Sequence, residues 1–443
     1  MKKLQCKKVL CILMTLCLLL GLNKTSLLAT TVKADSTSDT VTLNFQLYVE
    51  QGIPEDNYVT ITSSINNWSV SDPDWQTTKI DANHFELTLD VPASHLGTTI
   101  AYKWMMQDPN DANASGWEYV ECDEQGKGLE YRVMNITSES NTVSDETYQF
   151  SNPRAQSSLT GTLETFKLDM PQFDYDHQRS IWVWLPEGYD ANNTCKTYPV
   201  LYMMDGENLF DNLNCSFGEW GVDEAMTKLI EEEGYEEAIV VGIGNGCAEG
   251  DYDVRMNELS PNWTRNDIGA PYITNAQGDK FAAFVTETVR PYINSHYNTK
   301  SSRGYTGVGG SSMGGIMAFY LSMEYPDIYG YSLVFSPALQ IYEEGTIENY
   351  IESKHVSDMC KKPYIYLYSG GTCLCTAEAN SPYDESMIAP FVGIIYNKLL
   401  SEGYPCYKMN TLVIDEYRHA ESYWGAVFPT VYTWATRRSY YFN

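Results

Sequence analysis

Positive charge is scarce in this chain: 29 Lys and Arg stand against 58 Asp and Glu, a formal net charge of −29. Such a surface repels phosphate backbones and anionic lipid, so neither a nucleic-acid nor a membrane partner is expected. It suits a neutral partner such as a polysaccharide. Long apolar runs are scarce too. Val9–Leu22 follows Lys2, Lys3, Lys7 and Lys8 and is too short to span a bilayer comfortably. It has the form of a signal-peptide core, and Val32-Lys33-Ala34 offers small side chains for cleavage after Ala34. Residues 1–34 are therefore expected to be a signal peptide and the protein to be secreted, with 23 basic and 58 acidic residues remaining. Histidine is rare, and no His/Cys cluster accompanies Cys373-Leu374-Cys375. The acidic loop Asp108–Gly116 lacks the glutamate that closes a calcium loop. No metal and no cofactor is expected.

Cysteine is sufficient for disulfides, since eight of the eleven lie beyond residue 34. One pairing is suggested by position. Cys360 precedes the strand-like run Tyr364–Tyr368 and Cys406 precedes Lys408–Ile414. If those strands are parallel neighbours, both thiols lie at the same end, and a Cys360–Cys406 bridge is expected.

The patterning changes once along the chain. Residues 35–150 read as all-β, with runs at Val41–Val49, Tyr58–Ser64, His84–Val91, Thr99–Met105 and Tyr148–Phe150 and turn residues between them. A β-sandwich is expected there. Residues 151–164 are polar and read as a linker. In residues 165–443 strand-like runs alternate with 3.6-period stripes at Val222–Glu233, Lys280–Asn294, Ser312–Glu324 and Tyr383–Leu400. That alternation predicts a mostly parallel sheet between helices, with ligands beyond the carboxyl ends of its strands.

In the first region Ile65-Asn66-Asn67-Trp68, Ala101-Tyr102-Lys103-Trp104 and Gly116-Trp117-Glu118-Tyr119 resemble the starch-binding-like carbohydrate-binding modules of families 20 and 48. The resemblance implies an Ig-like sandwich with a polysaccharide-binding face made by Trp68, Lys103 and Trp117. Indole faces stack on sugar rings and lysine donates to hydroxyls. The family's Asn-Arg after the second Trp is replaced here by Glu121–Gly126. The other reading is that these side chains are core and the module packs on its neighbour.

In the second region Tyr305–Val308 runs into Gly309-Gly310-Ser311-Ser312-Met313-Gly314-Gly315 and then a helical stripe. Gly310–Gly314 fits G-x-S-x-G with Ser312 in the serine slot. Glycines allow the tight turn, and the helix N-terminus favours negative charge at the exposed hydroxyl. The backbone N–H of Met313, next in the chain, is the natural oxyanion donor.

Further motifs agree: Trp184-Leu185-Pro186, Asp205-Gly206-Glu207-Asn208-Leu209-Phe210, Gly218-Glu219-Trp220, Arg255 with Glu258-Leu259-Ser260-Pro261, and His419-Ala420-Glu421-Ser422-Tyr423-Trp424. Together these resemble the putative-esterase family of α/β-hydrolases, with its feruloyl, acetyl-xylan and siderophore esterases. The resemblance implies ester hydrolysis by a serine nucleophile, in the chain order Ser, acid, His. Of the six histidines beyond residue 34, only His419 follows the last expected strand. The acid should follow Tyr364–Tyr368, where the first carboxylate is Glu378; Asp384 and Glu385 stand behind it, and a Ser–His dyad is the remaining alternative. The second oxyanion donor implied is the Glu207 N–H. Arg255 would bind substrate or pair with Glu258 or another acid. Trp220 and Trp263 would line a pocket or pack in the core.

The reading that results is a secreted serine carboxylic-ester hydrolase. Its expected substrate is a carbohydrate ester, with acetyl or feruloyl groups on plant glycan. A siderophore-ester hydrolase, or a glycan-binding protein with an inert hydrolase half, are the alternatives.

Overall fold

The structure is a computed structural model describing residues 39–110, 116–124, 126, 128–152, 157–173, 177–213, 215, 218–246 and 252–442. The expected signal peptide, the middle of the acidic loop and Cys247 lie outside the described residues.

Nine strands form the first region: β1 (Thr40–Val49), β2 (Tyr58–Ser63), β3 (Thr78–Lys79), β4 (His84–Pro92), β5 (Thr99–Gln107), β6 (Tyr119–Cys122), β7 (Arg132–Asn135), β8 (Ser140–Thr147) and β9 (Gln149–Ser151). They make one sheet in the order β3-β4-β1-β8 and another in the order β2-β5-β6-β9, with β7 on β5. Leu43, Phe45 and Leu47 of β1, Phe85 of β4, Ile61 of β2 and Tyr102 and Trp104 of β5 share one core. Strand β1 alternates buried and less buried positions, as its sequence alternates. Strand β8, parallel to β1, holds Val143 as its one large apolar residue, so alternation does not reveal it.

The second region is an eight-stranded sheet of β10 (Thr162–Asp169), β11 (Gln178–Leu185), β12 (Val200–Met204), β13 (Ile239–Ile243), β14 (Thr306–Ser311), β15 (Tyr331–Phe335), β16 (Tyr364–Gly370) and β17 (Met409–Ile414), in the order β10-β11-β13-β12-β14-β15-β16-β17. Strands β10, β11 and β13 pair antiparallel; every pairing from β13 to β17 is parallel. The five central strands, β12 to β16, are buried along their whole length, and all but the glycine-rich β14 read as near-continuous apolar runs. Separate apolar clusters cover the two faces.

Three expectations are corrected here. Strand β14 extends to Ser311, so Gly309 and Gly310 belong to the strand and not to the turn. The last helix, Glu421–Phe442, was not expected; it carries Pro429 inside it. The Cys360–Cys406 bridge does not form; both thiols are free and exposed. Strands β16 and β17 are parallel neighbours as expected, but Ile365 faces Met409. Cys406 lies ahead of that pairing, in the 3-10 turn Cys406–Lys408.

The two regions touch at the sheet's carboxyl end. Thr99 and Thr376 exchange two hydrogen bonds, N–H to Oγ1 at 2.7 Å and N–H to carbonyl at 2.9 Å. The Arg418 guanidinium donates to the Tyr131 carbonyl at 3.1 Å, and the Ser422 hydroxyl bonds the Glu130 carboxylate.

Candidate active site

Ser312 sits where β14 turns into the helix Met313–Glu324, with φ 56° and ψ −122°. A non-glycine residue reaches that conformation only when its surroundings hold it there. The motif glycines do so by close approach. A Cβ on Gly310 would lie 2.7 Å from the Gly314 carbonyl oxygen. One on Gly314 would lie 2.9 Å from both Met204 and the Asp205 carboxylate. The helix's own hydrogen bonds start with Gly315 and Ile316 donating to the Ser312 carbonyl, so the Met313 N–H at the first position has no acceptor within the helix.

His419 lies in the loop after β17. That loop is braced by the Tyr417 carbonyl, which accepts the N–H groups of Gly371 and Thr372 at the end of β16. Trp424 and Tyr383 pack edge-on against its ring, with centroids 4.9 and 5.9 Å away. Nδ1 stands 3.3 Å from Glu385 Oε1. Nε2 is buried and holds no hydrogen bond. Ser312 and His419 line one cavity of about 380 Å³.

The acid beside the histidine is Glu385, not Glu378. Glu385 opens the helix Glu385–Ser401, whose N-cap is Asp384, with its side chain accepting from the Ser386 N–H. The carboxylate of Glu385 is fully buried and takes the hydroxyls of Ser336 at 2.5 Å and Ser369 at 2.7 Å. Ser336 in turn accepts from Trp424 Nε1 at 2.9 Å. Burial pushes the Glu385 carboxyl up, but the hydrogen bond and charge of His419, with both hydroxyls, outweigh it and hold the carboxyl below its usual value. Glu378 lines the cavity too, but its carboxylate closes its own loop by accepting from the Leu374 N–H at 3.0 Å. Burial raises its pKa. Glu385 was in view as a helix-start residue; the signal for it was Asp384 as N-cap.

Glu207 occupies the turn Gly206–Asn208 after β12, next to Gly314 through Asp205. Its side chain is buried, and Asn245 donates to it at 2.8 Å while also bonding Asp205. Burial and then the nearby Asp205 charge push Glu207 up to about 8. Arg255 grips Asp205 with both ends of its fork, at 2.8 and 3.0 Å. The expected alternative partner Glu258 is instead buried with Arg179. Arg255 lines the cavity, so it touches the site through an ion pair.

Trp220 is not a pocket residue. It is buried against Phe335 and Trp424, at centroid distances of 4.9 and 5.6 Å. Trp263 packs among Tyr320, Tyr342 and Tyr350. In the first region Lys103 is buried and its ammonium bonds the Leu129 carbonyl. Trp68 packs edge-on against Tyr131 at 4.7 Å. Of the three expected sugar-face residues, Trp117 alone is exposed. Burial in a tertiary setting claimed Trp68 and Lys103 for the support of Tyr131, whose ring also lies 5.0 Å from the Lys103 ammonium. Glu130 and Tyr131, which no motif marked, reach the catalytic-side cavity from the first region.

A family model described as "Putative esterase" matches residues 174–441, more than half of the chain. The chain belongs to this esterase family. It is 21% identical over 153 residues to "Uncharacterized protein YbbA" of Bacillus subtilis, covering 34% of the esterase and 54% of that protein. The chain thus spans about half the length of this curated relative. Among solved structures, the esterase is 14% identical to the enterobactin esterase FES from Shigella flexneri, covering 90% of this chain and 94% of that one, with a TM-score of 0.47. It is 19% identical to a ferulic acid esterase from Anaeromyces mucronatus, covering 64% and 92%, with a TM-score of 0.43.

Proposed function

We propose that the esterase hydrolyses carbohydrate-linked esters through Ser312, His419 and Glu385. The observation that carries this reading is a pair of opposed features on one cavity: a serine held in a strained strand-to-helix turn, and a histidine tethered at Nδ1 with Nε2 unclaimed. Ser312 Oγ attacks the ester carbonyl and gives its proton to His419 Nε2. Glu385 fixes the tautomer and steadies the imidazolium. The N–H groups of Met313 and Glu207 receive the oxyanion, and the helix after Ser312 adds its dipole. His419 returns the proton to the leaving alcohol, and an acyl-enzyme remains. Water activated by His419 releases the acid.

Arg255 acts one step removed in this scheme. It holds Asp205, which with Asn245 anchors the Glu207 turn against the elbow.

The cavity wall supports a neutral, hydroxyl-bearing substrate. Glu130, Glu219, Glu378 and Glu421 line it with Tyr131 and Ser422, and carboxylates accept hydrogen bonds from sugar hydroxyls. The siderophore-ester reading stands second. Export through residues 1–34 belongs to the same proposal. The glycan contact then falls on Glu130 and Tyr131 at the cavity rather than on a separate flat face.

A hydrolysis panel of p-nitrophenyl acetate, methyl ferulate, acetylated xylan and a triserine-type siderophore tests the substrate class. Preference for the glycan ester is expected, with a higher KM in Tyr131→Ala while p-nitrophenyl acetate turnover holds. Siderophore preference, or failure of a fluorophosphonate to label Ser312, sinks the reading.

A further inference from the structure

Behind the cavity wall a second group of acids converges. Glu219, Asp223 and Glu224 each offer a carboxylate oxygen, and these oxygens lie within 4.8 Å of one another. Glu219 lines the cavity. Asp223 and Glu224 form the first turn of the helix Val222–Glu231. The end of the linker wraps over them. Ser158 donates its hydroxyl to Glu219 at 2.5 Å, and Thr160 donates its N–H and hydroxyl to Asp223 Oδ2 at 2.7 and 3.1 Å.

Those donors serve one side of the group. On the other side, Asp223 Oδ1 and Glu224 Oε2 are buried and have no hydrogen-bond partner, and Asp223 is wholly inaccessible. A buried carboxylate oxygen only accepts, so two of them in one group need a positive centre between them, either a proton or a cation. The donor set is all oxygen and hard, three carboxylates with two hydroxyls beside them. That is the chemistry of calcium rather than of a soft or imidazole-seeking metal.

We propose that Glu219, Asp223 and Glu224 bind one divalent hard cation, calcium in the first instance, which ties the linker to the helix start and to the cavity wall. The ion supplies the charge that these oxygens lack. Its ligands lie in one short stretch, Glu219 to Glu224, to which the distant linker residues Ser158 and Thr160 are bonded only in the folded chain, so binding adds to folding stability. Glu219, Asp223 and Glu224 match the spacing of no known cation loop, so no motif marked them.

The test begins with chelator-treated protein at pH 7.5, to which Ca²⁺, Mg²⁺ or Mn²⁺ is added singly at millimolar concentration. The expected result is one bound Ca²⁺ per chain after equilibrium dialysis and a rise of several degrees in Tm. Both effects should be lost in Glu224→Gln and Asp223→Asn. Glu224→Gln serves as its own folding control. Its amide can donate to Asp223, so it should match or exceed the Tm of the chelated parent. If none of the three ions binds or raises Tm, the acids share only a proton and the proposal fails. It fails equally if the rise persists in both variants, since the ion then sits elsewhere.

Discussion

The acids withdrawn from water near the catalytic cavity differ in what surrounds them. Glu385 is fully buried yet served by His419, Ser336 and Ser369, and its carboxyl is held low. Glu224 and Glu207 are also removed from water but have fewer donors and acidic neighbours, and each is raised to about 8. Burial is common to both; the donors decide the protonation state. An acid beside a catalytic histidine must be ionised, so the three donors at Glu385 are part of the machinery. Glu207 keeps a proton instead, and Glu224 with Asp223 holds a proton or the proposed cation.

The sharpest way to break this comparison is to neutralise each side in turn. Glu385→Gln should lower kcat/KM by on the order of 10³–10⁴-fold, because the amide no longer favours the productive imidazole. Glu224→Gln should leave the rate on p-nitrophenyl acetate near the parental value, read in the same assay. Equal losses would erase the distinction.

Next in size is the pH dependence of stability. The folded state keeps a proton on Glu207 up to about 8, whereas an unfolded glutamate loses it near its ordinary value of about 4.3. This contribution is full below the unfolded value and is lost as pH rises through about 8. Glu385 has the opposite sign: its contribution is present above the unfolded value and is lost as pH falls. Tm of the chelated protein should therefore lose this contribution between about pH 4 and about 8, and Glu207→Gln should flatten that decline. An unchanged slope would contradict the assignment.

A smaller effect is expected from Ser369→Ala. Removing one donor to the charged form raises the Glu385 carboxyl, so the acid limb of the kcat/KM profile should move up. The smallest is Glu378→Gln, for which turnover near the parental rate is expected. A large loss there would return the triad to the first carboxylate after β16.

What could be read beforehand follows from how local the physics is. Ser312 was legible because the elbow is built from neighbours in sequence, and His419 because position and order isolate it. Glu385 was harder to single out. The chain makes a detour from Gly371 to Asp384 before the helix begins, and only the folded loop puts Glu378 aside. Trp220 and Lys103 were ambiguous, because an indole or a lysine stem suits a core and a binding face equally. The choice was made by partners distant in the chain: Phe335 and Trp424 for one, the Leu129 carbonyl for the other. The Arg179–Glu258 pair took the acid that Arg255 seemed to face.

The paired threonines at the domain junction set a limit on how this protein can be divided. Thr376 belongs to the detour that delivers Glu385, and Thr99 belongs to the β-rich region. The amino-terminal half therefore works as a clamp on the segment carrying the general-base partner, and a separated carboxyl-terminal half would inherit every reacting side chain without the brace that keeps them in register. Swapping front modules between such enzymes would be an exchange of active-site parts, not of detachable accessories.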